Sequence, residues 1–567
     1  MTCSQMDSKP ISDATLDRFF EHYYRRRPVN ATFTGLHEYD AKLPDWSCEG
    51  LEAMGDEMVA LRQDLASQPP GPAGDLAAID RSLADGFLEI QLAELEGDHF
   101  QSGNPALYTG EAIFAVLSLM LRDDALTGQR VEAIAHRLGD IPGFLRGAQR
   151  TIGDKPIPRS WTTRALSECD GAVHAFGDGL ESWCQSRGVD ERSTSRLRSA
   201  AQLALSAVAG FRSWLGSMPD APARRSGCGP EFYDLLLRRG HWDMRPRGDL
   251  LAEARHRFEQ AEARLREMAR SVDSGGWAAV AARLAEFHPT VDDYLDAYHR
   301  TWDACRRIAV ERDLVNWPSF PIRYVPIPAW ARQAAPNLYF LHYRSPAPCD
   351  LPEVVDYLVP PIDHRLTPEL RQSLLRATNH SVIKLNHVVH HGALGHHVQN
   401  FYAYRSASRV GQVAAVDCAS RIGMFCGGSL AEGWACYATD LMGEAGFLHE
   451  LELVAEQHSR LRQLGRAIVD IELHQHSIDE GDARRFFEER VGMTSAAAAK
   501  EVTRESMFPG TAVMYWLGTQ GIHDLRTARQ QAEGAAFSVR AFHDKLLSFG
   551  SIPVLLIAQL MSGSASV

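Results

Sequence analysis

Apolar residues recur at three- and four-residue intervals through most of positions 11–300, the spacing of helices that bury one face. Asp13-Ala-Thr-Leu-Asp-Arg-Phe-Phe-Glu-His-Tyr-Tyr24 shows the pattern first. Pro69-Pro70-Gly71-Pro72 interrupts it and residues 75–96 resume it. Asn104-Pro105 and residues 154–158 mark further breaks, with helical spacing between them and again over 193–215. Residues 219–228 read as a surface connection, and Gly229-Pro230-Glu231 opens another helix. Residues 249–272 repeat the apolar spacing with alternating charge, the mark of a solvated helix face. No fixed-period repeat is present.

Between Asn316 and Pro361 the pattern changes. Trp317-Pro-Ser-Phe-Pro-Ile-Arg-Tyr-Val-Pro-Ile-Pro-Ala-Trp330 and Asn337-Leu-Tyr-Phe-Leu-His-Tyr343 are punctuated by proline and rich in aromatic and β-branched residues. That composition predicts a small sheet or hairpin near residues 316–345, delivering backbone edge groups to a cleft. Helices are then expected from near Thr367 through the histidines that follow, from Ser429 to about Met442, from about 449 to 478, and over 546–561. Residues 562–567 read as a loose tail. The expected class is mainly α and multi-helical. Residues 1–315 would form an N-terminal helical region and 316–567 a C-terminal region carrying the histidine-rich helices, joined in one integrated domain.

The chain has 567 residues, enough for a large core, with 45% hydrophobic and 23% charged residues, as in ordinary water-soluble proteins. A net charge of −13 argues against nucleic acid and against an anionic membrane as partners, leaving a small molecule or a peptide. The N-terminal residues lack the basic and apolar regions of an export signal, and no stretch offers about 18 uninterrupted apolar residues. A cytoplasmic location is therefore expected. Ten cysteines occur singly, with no Cys-x-x-Cys pair, so neither a disulfide framework nor a cysteine-rich zinc site is expected. Cys418, Cys426 and Cys436 are read as small buried residues.

Histidine breaks the background. Of 23 in the chain, five fall between His387 and His397. Neutral imidazole is the commonest ligand of a catalytic metal. On a helix, side chains four apart share a face, which His387 and His391 satisfy. His390 and His396 are six apart, roughly 9 Å along an unbroken helix. They can share an ion only if the helix bulges or breaks, as Gly392 and Gly395 would permit. Spacing alone leaves both ligand sets open.

The run His390-His391-Gly-Ala-Leu-Gly395-His396-His397-Val-Gln399 resembles the His-Glu-x-x-Pro-Gly-His-His-x-Gln signature of the bacterial domain-of-unknown-function 885 family, grouped with zinc metallopeptidases of the His-Glu-x-x-His kind. Glu432-Gly433-Trp434-Ala435-Cys436-Tyr437 is similar to a second signature of that family, and Pro509-Gly510-Thr-Ala512-Val-Met-Tyr515-Trp-Leu-Gly518 to a third. Phe542-His543-Asp544, Gly550-Ser-Ile-Pro553, Pro28-Val-Asn-Ala31-Thr-Phe-Thr-Gly35 and Leu43-Pro44-Asp45 extend the resemblance over almost the whole chain. The departures are specific. His391 stands where the family has the glutamate that acts as general base in this peptidase class. Leu394 replaces a proline, Thr439 a carboxylate, and Glu505 an aromatic residue.

The resemblance implies a metallopeptidase-like fold around a deep cleft and a divalent metal, zinc first, held by His390, His396 and Glu432 with His397 as an alternate; the helical spacing adds His387 as an alternate, and a histidine-rich site would also suit iron or copper. It also implies Tyr515 as stabiliser of a developing oxyanion and His391 as the residue in the base position. Arg466, Asp470 and His474 lie at four-residue steps on one helix face. Arg466, His474 and the fork of Arg504 are read as substrate-binding, with an internal ion-pair ladder as the competing reading of the stripe and a pairing with Glu501 as that of Arg504. The leading expectation is a metal-dependent hydrolase acting on an amide or related bond of a peptide or small molecule. The alternatives are a repurposed metal enzyme of small-molecule metabolism, such as a lyase, isomerase or oxidative enzyme, and a metal-free binding protein.

Overall fold

The computed structural model describes residues 13–71, 74–222, 224–338, 347–350, 352–415 and 421–563. The fold is mainly α, with one two-stranded sheet among the described residues. Many of the α-helices start where a short polar side chain can take up the free N–H groups of the first turn. Asp13 caps Ala14–Arg26, Asp75 caps Leu76–Glu96, and Asp190 caps Glu191–Ser217. The charge-striped segment forms Arg247–Val272.

The extended region differs from expectation in partner and direction. Strand β1, Ile322–Pro326, pairs in parallel with β2, Val355–Val359, so the sheet is not a hairpin and its second strand lies beyond 345. The run Val354-Val355-Asp356-Tyr357-Leu358-Val359, stopped by Pro360, has the β-branched and aromatic character a strand needs. Of the other segment expected to be extended, 339–343 lies outside the described residues, as do Cys418, residues 1–12 and the tail 564–567. The sheet does not present backbone edges to the histidine cleft. It lies behind the histidines and sends tyrosines toward them: Tyr324 Oη donates to the His387 carbonyl at 3.4 Å, and Tyr357 Oη is 2.6 Å from His387 Nδ1.

The C-terminal segment divides into Val539–Ser548 and Val554–Ser562 instead of running as one helix. Gly550 sits at φ +78° and Pro553 precedes the second helix, so the chain turns between them. One continuous core cluster runs from Leu16 and Phe19 through Val388 and Trp434 to Ile557, bringing sequence-distant helices onto a common interior.

Two helices cross at the centre with almost no space between them. A Cβ added at Gly518 would lie 1.8 Å from the Ser429 carbonyl oxygen, and one at Gly433 would lie 2.5 Å from Gly518 backbone atoms. Glycine at both positions lets Gly428–Glu444 and Val513–Glu533 touch backbone to backbone, with Glu432 on one and Tyr515 on the other.

Candidate metal centre

The histidine segment is not one helix. Pro368–Ala377 ends, Asn379 recaps His380–Val382, and Ile383–Gly392 follows as a wide π-type helix. The chain then reverses through Ala393-Leu394-Gly395 into His396–Ala403. A Cβ at Gly395 would collide with the His390 carbonyl oxygen at 1.8 Å, and one at Gly392 with the Tyr324 hydroxyl at 2.1 Å. Two tryptophans pin the reversal: Trp302 Nε1 donates to the Gly392 carbonyl and Trp434 Nε1 to that of Leu394, each at 2.8 Å.

This break brings His390 and His396 together. Ring nitrogens of His390, His391 and His396 all lie within 4.8 Å of one another. Glu432 Oε2 is 3.4 Å from His390 Nε2 and 3.5 Å from His396 Nε2. That oxygen is buried and, among the described residues, accepts no hydrogen bond, an arrangement that would be costly without a further partner. Two ligands about 2.1 Å from a tetrahedral zinc lie roughly 3.4 Å apart, so the spacing suits an ion better than direct contacts. His391 Nδ1 donates to the Asn386 carbonyl at 2.7 Å, leaving the lone pair on Nε2, the form a ligand needs. Burial lowers the His390 pKa and takes that of His391 well below the usual imidazole value. Burial opposes charge on Glu432, yet His396 and His390 hold its carboxyl well below the usual range. The residues present therefore suit a divalent cation in number and donor type, and at His391 in tautomer.

The two alternate ligands point elsewhere. His397 is fully buried, donates from Nε2 to the Phe320 carbonyl at 2.6 Å and stacks on the Phe320 ring. His387 faces Tyr357. On a wide-turned helix, four-residue spacing no longer aligns His387 with His391, so the geometric pair fails where the broken pair meets.

The centre opens on a cleft of about 590 Å³, lined in part by His390, His391, Glu432, Glu456, Arg462 and Tyr515. Arg466 also lines it, bonded through Nη2 to Glu501 Oε2 at 2.6 Å, its guanidinium 4.8 Å from the Tyr515 ring centre. Arg504 grips the other oxygen of Glu501 at 2.6 Å and is not among the cleft-lining residues, so it holds Arg466 in place instead of facing a ligand. His474 lies in a separate buried cluster, donating to the Glu505 carbonyl at 3.0 Å and accepting from the Cys228 N–H at 3.2 Å. The polar stripe thus divides: Arg466 faces the cleft, Asp470 caps the third motif through the N–H groups of Gly510, Ala512 and Val513, and His474 is structural.

Two cleft residues were not singled out by sequence. Arg462 lies one turn before Arg466 on the same ladder, a visible signal; its Nε is buried without a hydrogen bond. Glu456 carries no motif. Burial, followed by repulsion from Asp440, pushes its carboxyl up to about 8, so it is protonated near neutrality.

The family model described as "Bacterial protein of unknown function (DUF885)" matches residues 28–561. No curated protein matches the chain. Two solved structures share the fold. A "putative lipoprotein of unknown function" from Shewanella oneidensis aligns with a TM-score of 0.77 at 20% identity, over 97% of this chain and 100% of its own. A "putative lipoprotein" from Colwellia psychrerythraea aligns with a TM-score of 0.77 at 15% identity, over 97% and 98%. Those descriptions run against the cytoplasmic location expected from the sequence, because lipoproteins are held at a membrane outside the cytoplasm, and that expectation is withdrawn. Among the described residues, no helix is long and apolar enough to cross a membrane.

Proposed function

The chain belongs to this bacterial family of unknown function, and we propose that it is a metal-dependent hydrolase of the metallopeptidase type, cleaving an amide or related bond of a peptide or small molecule. The observation that carries the reading is the buried, hydrogen-bond-free Glu432 oxygen facing two imidazole nitrogens on the wall of a cleft. His390, His396 and Glu432 would hold the metal, zinc first and iron or copper as alternatives, with His391 as a third imidazole. A divalent cation there would supply Lewis acidity toward a carbonyl and make a water more acidic. Tyr515, which lines the same cleft with its ring beneath Arg466, would be the phenol that donates to a developing oxyanion. Glu456 offers a proton at neutral pH. Arg462 and Arg466 favour a substrate carrying a carboxylate.

A second reading rests on His391. It occupies the place of the general-base glutamate, and its lone pair joins the imidazole cluster, giving a nitrogen-rich site that a repurposed lyase, isomerase or oxidative enzyme could use. Replacing His391 by Glu separates the two. On the hydrolase reading, metal-loaded His391→Glu cleaves a panel of aminoacyl p-nitroanilides at least tenfold faster than the unmodified protein. No gain, in a variant that still binds the metal, would favour the second reading.

A further inference from the structure

A second cavity, of about 180 Å³, lies among the N-terminal helices and shares none of its lining residues with the metal cleft. It has room for about a dozen waters, or for one small organic molecule. Much of its wall is apolar, with Val29, Phe33, Phe114, Met507 and Phe508 contributing. Into this apolar space come two guanidinium groups far apart in sequence.

Arg27 sits between the helices Ala14–Arg26 and Pro28–Thr34, and Arg421 lies almost four hundred residues later. Each is packed against aromatic rings: Arg27 is 5.2 Å from the Tyr23 ring centre, and Arg421 is 4.9 Å from those of both Phe100 and Phe425. Each also uses one Nη2 group within the protein, Arg27 on Gln91 and Arg421 on Glu94, while Gln91 ties these together by donating to Glu94 at 2.7 Å. Among the described residues, the Nη1 group of each is buried without a hydrogen-bond partner. Burial disfavours the charge on both, and the charge of Arg27 disfavours that of Arg421 further. Two acids line the cavity: Glu168 is engaged by Arg164 and Thr109, and Glu111 is pushed up to about 7 by burial, so neither supplies a full counter-charge to Arg27 at neutral pH. Two desolvated cations with one unmet donor each, in an apolar chamber, are short of one anion.

We propose that this cavity binds a small apolar carboxylic acid, its carboxylate between Arg27 and Arg421 and its hydrocarbon body against the apolar wall. The carboxylate meets both unpaired donors and relieves the repulsion between the guanidiniums. A cation would add to that repulsion, and a neutral molecule would leave it in place.

Phenylacetate titrated into the full chain by calorimetry tests the proposal, with phenylacetamide as a neutral probe of the same shape. Phenylacetate is expected to bind at least tenfold more tightly than the amide. Arg27→Met and Arg421→Met should each cost at least tenfold, whereas His390→Ala combined with His396→Ala should leave binding unchanged, separating this site from the metal cleft. A crystal soaked in 4-bromophenylacetate needs no variant and should place the bromine signal in this chamber. Equal binding of acid and amide, no binding of either, or bromine located only elsewhere would overturn the assignment.

Discussion

Three backbone N–H groups converge on the carboxylate of Asp470, from Gly510, Ala512 and Val513, and fix the start of the helix that carries Tyr515. Removing that acceptor leaves buried donors unmet. Asp470→Ala is therefore expected to cost about 2–3 kcal/mol, read as a lower urea midpoint with an unchanged slope. His37 gives a pH-dependent counterpart. Its hydrogen bond to Asp350, then that to Asp40, raises its pKa from 6.5 to about 9. The folded state holds this proton more tightly than the unfolded chain does, so the stabilisation is complete below about 6.5 and disappears as the pH rises through about 9. The pair is partly exposed and worth at most about 1 kcal/mol. His37→Gln should lower the urea midpoint at pH 6 and leave it nearly unchanged at pH 10; an equal loss at both would refute the linkage. At this scale much could be read in advance, because residue type announces chemistry. His390, His396 and Glu432 were named from the motif and lie together in the structure. His474 has the right chemistry away from the cleft, since four-residue spacing gives a shared face and not what that face meets, and of the two readings of Arg504 the structure shows the pairing with Glu501.

The elements explain why the motif glycines stand where they do. Gly433 and Gly518 allow the contact between two helices, so Gly518→Ala must push its Cβ away from the Ser429 carbonyl and separate Glu432 from Tyr515. The variant should lose about 2–3 kcal/mol of stability, measured by urea unfolding. Trp434 belongs to the same set: its indole donates to the Leu394 carbonyl at the histidine reversal, so the second motif clamps the first. Phe542-His543-Asp544 and Gly550-Ser-Ile-Pro553 also have supporting roles. Asp544 accepts from Tyr402 Oη at 2.6 Å, and Ser551 Oγ accepts from Gln399 Nε2 at 2.5 Å. The helix starts at Asp13 and Asp75 were legible, whereas the helix expected over 193–215 begins at Glu191, capped by Asp190. The parallel strand pair was not legible, because its partners are separated by a connection that carries no periodic signal, and the break at Gly550 was hidden within an apolar run.

At the scale of the whole molecule, three large apolar clusters are present, and each draws residues from both before and after residue 316. A single cooperative unfolding transition is expected, with intrinsic fluorescence and far-UV circular dichroism giving the same midpoint; two resolved midpoints would mean the halves fold independently. Helical class was legible from apolar periodicity over most of the chain. The cleft was not, because its walls come from segments far apart in sequence, and Glu456 and Arg462 acquire their meaning only through burial.

The account depends most on Glu432, His390 and His396 closing around one ion. Elemental analysis of untagged protein, refilled with zinc and dialysed, measures this directly, with Glu432→Gln and His396→Ala compared with His397→Gln. About one zinc per chain is expected in the unmodified protein and in His397→Gln, with marked loss in the other two. No bound metal in the unmodified chain, or equal retention in all three variants, would contradict it.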